Sequence, residues 1–147
     1  MTGAHNYPAA HGVIMGVDYG DSRTGIAVSD ADCRIAFGVT CIKAKGMRAA
    51  VNLVAEEARK RRAVRIVVGL PLNMDDTEGP RAERARVFAG MLADAASLPV
   101  DLWDERLTTV EAYDIMDQIG IPASRRRDTV DTIAAQVILQ SYLDAKK

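Results

Sequence analysis

Asp18 sits in Met15-Gly16-Val17-Asp18-Tyr19-Gly20, at the end of an apolar run and just before a glycine turn. A carboxylate so placed is costly to desolvate unless a cation or hydrogen bonds compensate. Two readings are open: a functional acid, or a turn residue bonding the amides of Asp21 to Arg23. Glu105, in Trp103-Asp104-Glu105-Arg106, follows a short strand-like run. Ligands of α/β sheets gather beyond the carboxyl ends of strands; the blander alternative is a surface ion pair with Arg106 or a neighbour, worth little. Asp131 lies in Asp128-Thr129-Val130-Asp131-Thr132, in the first turn expected of a final helix. An acid there complements the helix dipole and needs no other purpose.

Taken together, the three acids suggest one chemistry. The only histidines, His5 and His11, lie in a polar leader, so histidine catalysis and a His-ligated zinc site are not expected. Hydrolysing a phosphodiester without histidine requires another way to activate water and neutralise the phosphate. Two Mg²⁺ ions about 3.5–4 Å apart do both, and carboxylates converging from different elements hold them.

The elements that would position these acids can be read from pattern. Val13 to Tyr19, Thr24 to Ser29 and Ile35 to Ile42 read as three strands joined by short polar turns, an antiparallel meander. The period then becomes helical, with Met47, Val51, Val54, Ala55 and Ala58 on one stripe ahead of the basic run Arg59 to Arg62. Arg65 to Gly69 is a buried strand. A polar loop follows from Asn73, and Pro80 opens a helix with Val87 or Phe88, Met91, Leu92 and Ala95 inward. Val100 to Asp104 is a fifth strand; Thr108-Thr109-Val110-Glu111 is a capping box for a third helix. The last helix is expected from about Asp128, with Ile133, Val137, Ile138 and Tyr142 inward. This order implies a mixed five-stranded α/β sheet, three antiparallel strands then parallel additions, flanked by helices.

The 147 residues suit one domain, expected over 13–147 behind a disordered leader at 1–12. The net charge of -1 announces no global affinity for nucleic acid, but arginines cluster at 59–65, 81–86 and 125–127. Each cluster is either a phosphate-tracking face or a solvated helix surface. Cys33 and Cys41 show no paired spacing, which suits a reduced, cytoplasmic protein. No apolar run reaches membrane-spanning length, so no membrane partner is expected.

Four segments carry a family resemblance: Gly16-Val17-Asp18-Tyr19-Gly20, Val68-Gly69-Leu70-Pro71-Leu72-Asn73-Met74-Asp75, Asp104-Glu105-Arg106-Leu107-Thr108-Thr109-Val110-Glu111-Ala112 and Val130-Asp131-Thr132-Ile133-Ala134-Ala135. In this order they resemble the blocks of the YqgF family. Its members are Holliday-junction-resolvase-like proteins, also described as nucleases of the small-subunit ribosomal RNA precursor. The resemblance runs from about Val13 to Tyr142. It implies a ribonuclease H-like fold and the trio Asp18, Glu105 and Asp131 as catalytic ligands of Mg²⁺, with Mn²⁺ as substitute.

In that fold the strand before Glu105 lies two strands from the one bearing Asp18, roughly 10 Å at about 4.8 Å per step. Glu105 must close that gap, or Asp75 and Asp76 replace it. Arg23, Asn73 and Arg106 are candidates to touch substrate, and each has an equal structural use. The expected partner is nucleic acid, RNA ahead of DNA, including the immature small ribosomal subunit, with the protein a monomer or homodimer. Processing of the 5′ end of pre-16S ribosomal RNA ranks ahead of Holliday-junction cleavage. Two rivals are a non-catalytic RNA-binding assembly factor and an actin- or Hsp70-like nucleotide binder. The latter needs two such domains, and this chain holds one.

Overall fold

A computed structural model describes residues 12–107 and 126–146, and side chains in the last helix from residue 132 onward. The expected leader, the capping box at Thr108 and the helix after it lie outside the described residues, as does the Arg125–Arg127 cluster's side-chain placement. Strands β1 (Val13–Asp18), β2 (Arg23–Ser29) and β3 (Ala36–Lys43) form the meander. Helix α1 (Met47–Lys60) leads to β4 (Ala63–Leu70), and α2 (Pro80–Ala96) to β5 (Val100–Asp104). A single 3-10 turn, Glu105–Leu107, follows β5, and α3 (Arg126–Ala145) closes the chain.

The five strands lie in the order β3-β2-β1-β4-β5. β1 is antiparallel to β2, and parallel to β4, which in turn is parallel to β5. The carboxyl ends of β1, β4 and β5 therefore share one edge of the sheet, joined there by the start of β2 and the end of β3. Strand alternation divides the core by face. Met15, Val17, Ile26, Ile66 and Val68 pack with α1 and α2; Ile14, Ala27, Ala36 and Val67 pack with α3.

The helix stripes follow burial. On α1, Val51, Val54, Ala55 and Ala58 are buried as the spacing predicts. On α2 Phe88, not Val87, turns inward: Val87 is 56% exposed, and the small residues Ala82, Ala85 and Ala89 complete the stripe. α3 is more enclosed than its sequence stripe suggests, with every residue from Ala135 to Leu143 buried. Its polar members are absorbed by hydrogen bonds. Gln140 accepts from the Ala36 N–H at 2.9 Å and donates to the Arg34 carbonyl; Gln136 donates to the Ala36 carbonyl at 2.9 Å. α3 thus grips the first residue of β3 by its backbone. No helix among the described residues is long and apolar enough to cross a membrane.

Candidate active site

Asp18 is the last residue of β1, on the α3 face, two residues beyond Gly16. Gly16 is where α3 comes closest: a Cβ there would lie 2.7 Å from the Leu139 Cβ and 3.1 Å from the Ala135 carbonyl oxygen. Only a residue without a side chain lets helix and strand approach so near. Ile14 packs with Leu139, Tyr142 and Leu143 at the other end of β1, so α3 runs back along the strand. One turn before Ala135, on the same stripe, is position 131. The helix backbone therefore brings Asp131 to the level of the strand end that bears Asp18, while its side chain lies outside the described residues.

Glu105 crosses the gap by passing over β4. The register Val17↔Val68 in β1–β4, extended by one residue, sets Asp18 beside Gly69, and Gly69 pairs with Trp103 of β5. A Cβ on Gly69 would meet the Glu105 Oε2 at 2.7 Å and the Glu105 Cγ at 3.1 Å. The Glu105 carboxylate consequently lies across the bare backbone of the intervening strand, on the sheet face that carries Asp18 one strand away. Burial pushes its carboxyl above the ordinary range; the nearby Arg81 charge pulls the other way and Asp104 adds to the rise. Ser141, buried on α3, fixes both flanks of Glu105: its Oγ accepts from the Trp103 indole N–H at 3.1 Å and donates to the Leu107 carbonyl at 2.8 Å.

Arg106 is occupied by protein groups. It donates from Nη2 to the Asp104 Oδ2 at 2.8 Å, and from Nη1 to the Asn73 carbonyl at 3.1 Å, and pairs with Asp76 at 2.8 Å. Those hydrogen bonds hold the Asp104 carboxyl below, and the guanidinium above, their ordinary ranges. The loop it fastens is closed internally. The Asn73 amide donates to the Thr77 hydroxyl, and Asp75 accepts from the Thr77 N–H and hydroxyl. Asp76 adopts φ 71, a left-handed conformation that aspartate tolerates better than most residues. Asp75 and Asp76 are thereby engaged in building the loop.

Arg23 opens β2 at the same sheet edge as Asp18, opposite Lys43 in the register, and the two line a recess with Lys45. The arginine clusters separate in space. The Arg59–Arg65 group belongs to the opposite edge, where Glu57 pairs with Lys60 and Arg61, and Asp101 with Arg65. Of the α2 group, Arg86 pairs with Glu78 and Arg84 with Asp21. Sequence reasoning missed Gly69 and Ser141. A glycine in a buried strand could have signalled a close approach, but nothing marks Ser141 apart from its place on the inward stripe. Among the described residues no three His, Cys, Asp or Glu side chains form a metal-holding group; Asp131 is not among the side chains described.

The arrangement can be set beside known proteins. A relative from Pelotomaculum thermopropionicum bearing the name "Putative pre-16S rRNA nuclease" is 48% identical over 134 residues, 90% of this chain and 87% of its own. One of the same name from Myxococcus xanthus is 43% identical, over 90% of this chain and 88% of its own. Among solved structures, RuvC of Thermus thermophilus in complex with a Holliday junction substrate aligns at TM-score 0.61 and 15% identity, covering 92% of this chain and 96% of that one. The fowlpox virus resolvase aligns at 0.58 and 11%, covering 91% and 98%. These likenesses show a ribonuclease H-like fold. The model of RuvX, described as Holliday junction resolvase, matches residues 12–145, and with relatives this similar across nine-tenths of its length the chain belongs to the RuvX family.

Proposed function

We propose that this nuclease hydrolyses nucleic-acid phosphodiesters with divalent cations held by Asp18, Glu105 and Asp131, and that its substrate is the precursor of 16S ribosomal RNA. The observation that carries the reading is the Glu105 carboxylate lying over Gly69, at the carboxyl edge of the sheet and on the face where β1 ends in Asp18. A Cβ at position 69 would fill that cradle. Carboxylates brought to one face of the sheet end, one of them desolvated, are costly without a cation, and their hard oxygens would suit Mg²⁺ or Mn²⁺. In this reading Asp131, on the helix that covers this face of the sheet, is the third carboxylate. Bound there, the cation supplies Lewis-acid charge to the phosphate and lowers the pKa of attacking water.

The chain's own residues do the rest. Asp18 and Glu105 set the axis along which the phosphate lies, and Ser141 keeps the Glu105 turn in register with β5. Arg23 contacts a phosphate from the β2 side. Asn73 and Arg106 serve the substrate by fixing the loop beside Glu105, since their donors are already engaged. RNA ranks ahead of a four-way junction because the positive charge is divided into short clusters on a chain of net charge -1. We place this activity in the cytoplasm, on RNA of the immature small subunit.

The test is cleavage of precursor 16S RNA, free and on immature subunits, beside a synthetic four-way DNA junction. Activity should require Mg²⁺ or Mn²⁺, vanish in chelator, and be lost in Asp18→Asn and Glu105→Gln but not in Asp75→Asn or Asp76→Asn. Undiminished cleavage in excess chelator would sink the metal reading. Paired symmetric nicks in the junction at enzyme levels that spare the RNA would reverse the substrate ranking.

A further inference from the structure

Beyond the acids, the sheet edge carries a second feature on its other face. A recess of about 90 Å³ is lined by Tyr19, Gly20, Asp21, Pro71, Arg81 and Arg84. It begins one residue after Asp18. Tyr19 alternates to the face opposite Asp18 and packs with the α1–α2 core, so the recess lies around the sheet end from the carboxylates. Its wall is rigid: the Tyr19 ring stacks on Phe88 with centroids 4.3 Å apart. The Tyr19 hydroxyl is buried and has no hydrogen-bond partner among the described residues.

The two arginines of this recess differ. Arg84 is paired with Asp21 at 2.7 Å, which offsets much of its charge. Arg81 makes no ion pair or hydrogen bond among the described residues, yet its charge acts on Glu105 through space. Arg81 thus lines the recess, at the same end of the sheet as Glu105, whose carboxyl its charge pulls down.

We propose that Arg81 is a positioning residue that holds, in this recess, a backbone phosphate adjacent to the scissile one. The inference rests on the nuclease reading above. A phosphate bound at the carboxylates would lie on the α3 face, and a chain continuing from it around the sheet end meets this recess, where Arg84 is paired with Asp21 and Arg81 has no carboxylate partner among the described residues. Guanidinium suits the task because its fork donates two hydrogen bonds to one phosphate. Asp21 limits the recess to a single cation, so it takes one phosphate monoanion and not a more highly charged terminal group.

The experiment measures binding of a fluorescent single-stranded RNA in excess chelator, as a function of salt, so that the acids contribute no metal. Arg81→Ala should weaken binding roughly three- to tenfold at low salt and flatten the log–log salt slope by about 0.7, one single-strand phosphate. Arg81→Lys should restore the slope, and Arg86→Ala, paired with Glu78 outside the recess, should behave as wild type. In a scan with one neutral methylphosphonate at a time, a linkage next to the cleaved one should weaken wild type and leave Arg81→Ala unaffected. A wild-type slope in Arg81→Ala, an equal loss in Arg86→Ala, or coupling only to the cleaved linkage would overturn the proposal. If the wild-type protein binds no nucleic acid in chelator or in Mg²⁺, the nuclease reading fails with it; if it binds and Arg81→Ala is silent, this inference alone fails.

Discussion

Glu105 owes its position to a side chain that β4 does not have. Gly69→Ala should therefore act on activity and stability together, since the added methyl would meet Glu105 Oε2 at 2.7 Å and Ile138 Cδ1 at 2.6 Å. Overpacking of this kind costs about 1–3 kcal/mol, and displacing the carboxylate should lower turnover more than a hundredfold. Wild-type turnover in a folded Gly69→Ala protein would show that Glu105 need not lie there. Asp30 offers a pH test remote from the site. Burial alone would raise its carboxyl, but the Ile35 and Arg34 N–H groups it accepts at 3.0 and 2.8 Å outweigh that and hold it low. A depressed folded value means stability that is present above the unfolded pKa of about 3.9 and lost as pH falls through the folded value. Asp30→Ala should cost about 1 kcal/mol at neutral pH, and the wild-type advantage, read from urea midpoints, should vanish at the acid end. The strand-end positions of Asp18 and Glu105 were legible because the apolar runs before them mark β1 and β5. Gly69 and Ser141 were not, because their value depends on which strand lies between two others and on which helix crosses above.

At the scale of elements, α3 is the part on which the rest depends. It packs on β1 through Gly16, holds the flanks of Glu105 through Ser141, and grips the start of β3 through Gln136 and Gln140. Gln140→Leu keeps the volume but leaves the Ala36 N–H buried without its acceptor, which should cost about 1–3 kcal/mol. Chemical denaturation should show that loss with an unchanged slope against urea; a neutral result would mean that the strand pairing to Ser29 suffices. The strands were readable from sequence because alternation and turn chemistry act locally: β5 has the expected bounds, and those of the other four differ by at most two residues. Helix α2 was harder: with alanines on its inner face the moment is weak, so Val87 and Phe88 competed until packing against Tyr19 decided for Phe88. The completeness of α3's burial was not legible either, since glutamine and serine read as solvent-facing until their backbone partners on β3 and the Glu105 turn are known.

At the scale of the molecule, the basic clusters among the described residues are sorted by sheet edge. The Arg59–Arg65 cluster, prominent in the sequence, is at the edge opposite the acids and is partly neutralised by Glu57 and Asp101. Arg23, Lys43, Lys45, Arg81 and Arg84 surround the edge with Asp18 and Glu105. No composition statistic distinguishes these two groups, because a net charge of -1 is the same however it is divided. The division makes a prediction about the protein as a thermodynamic unit. If the carboxylates form a cation site, the folded state binds Mg²⁺ and the unfolded chain does not, so the melting temperature must rise with the ion by mass action. At ten times Kd the gain is about 1.4 kcal/mol, or roughly 3–6 °C for a domain of this size. Asp18→Asn removes one ligand and one of three mutually repelling charges, so it should melt at or above wild type in chelator and show no Mg²⁺-dependent rise. Matching ionic strength with KCl separates binding from screening. An equal rise in wild type and Asp18→Asn would assign the ion to some other part of the surface, and a large loss of stability in metal-free Asp18→Asn would make Asp18 a structural turn residue.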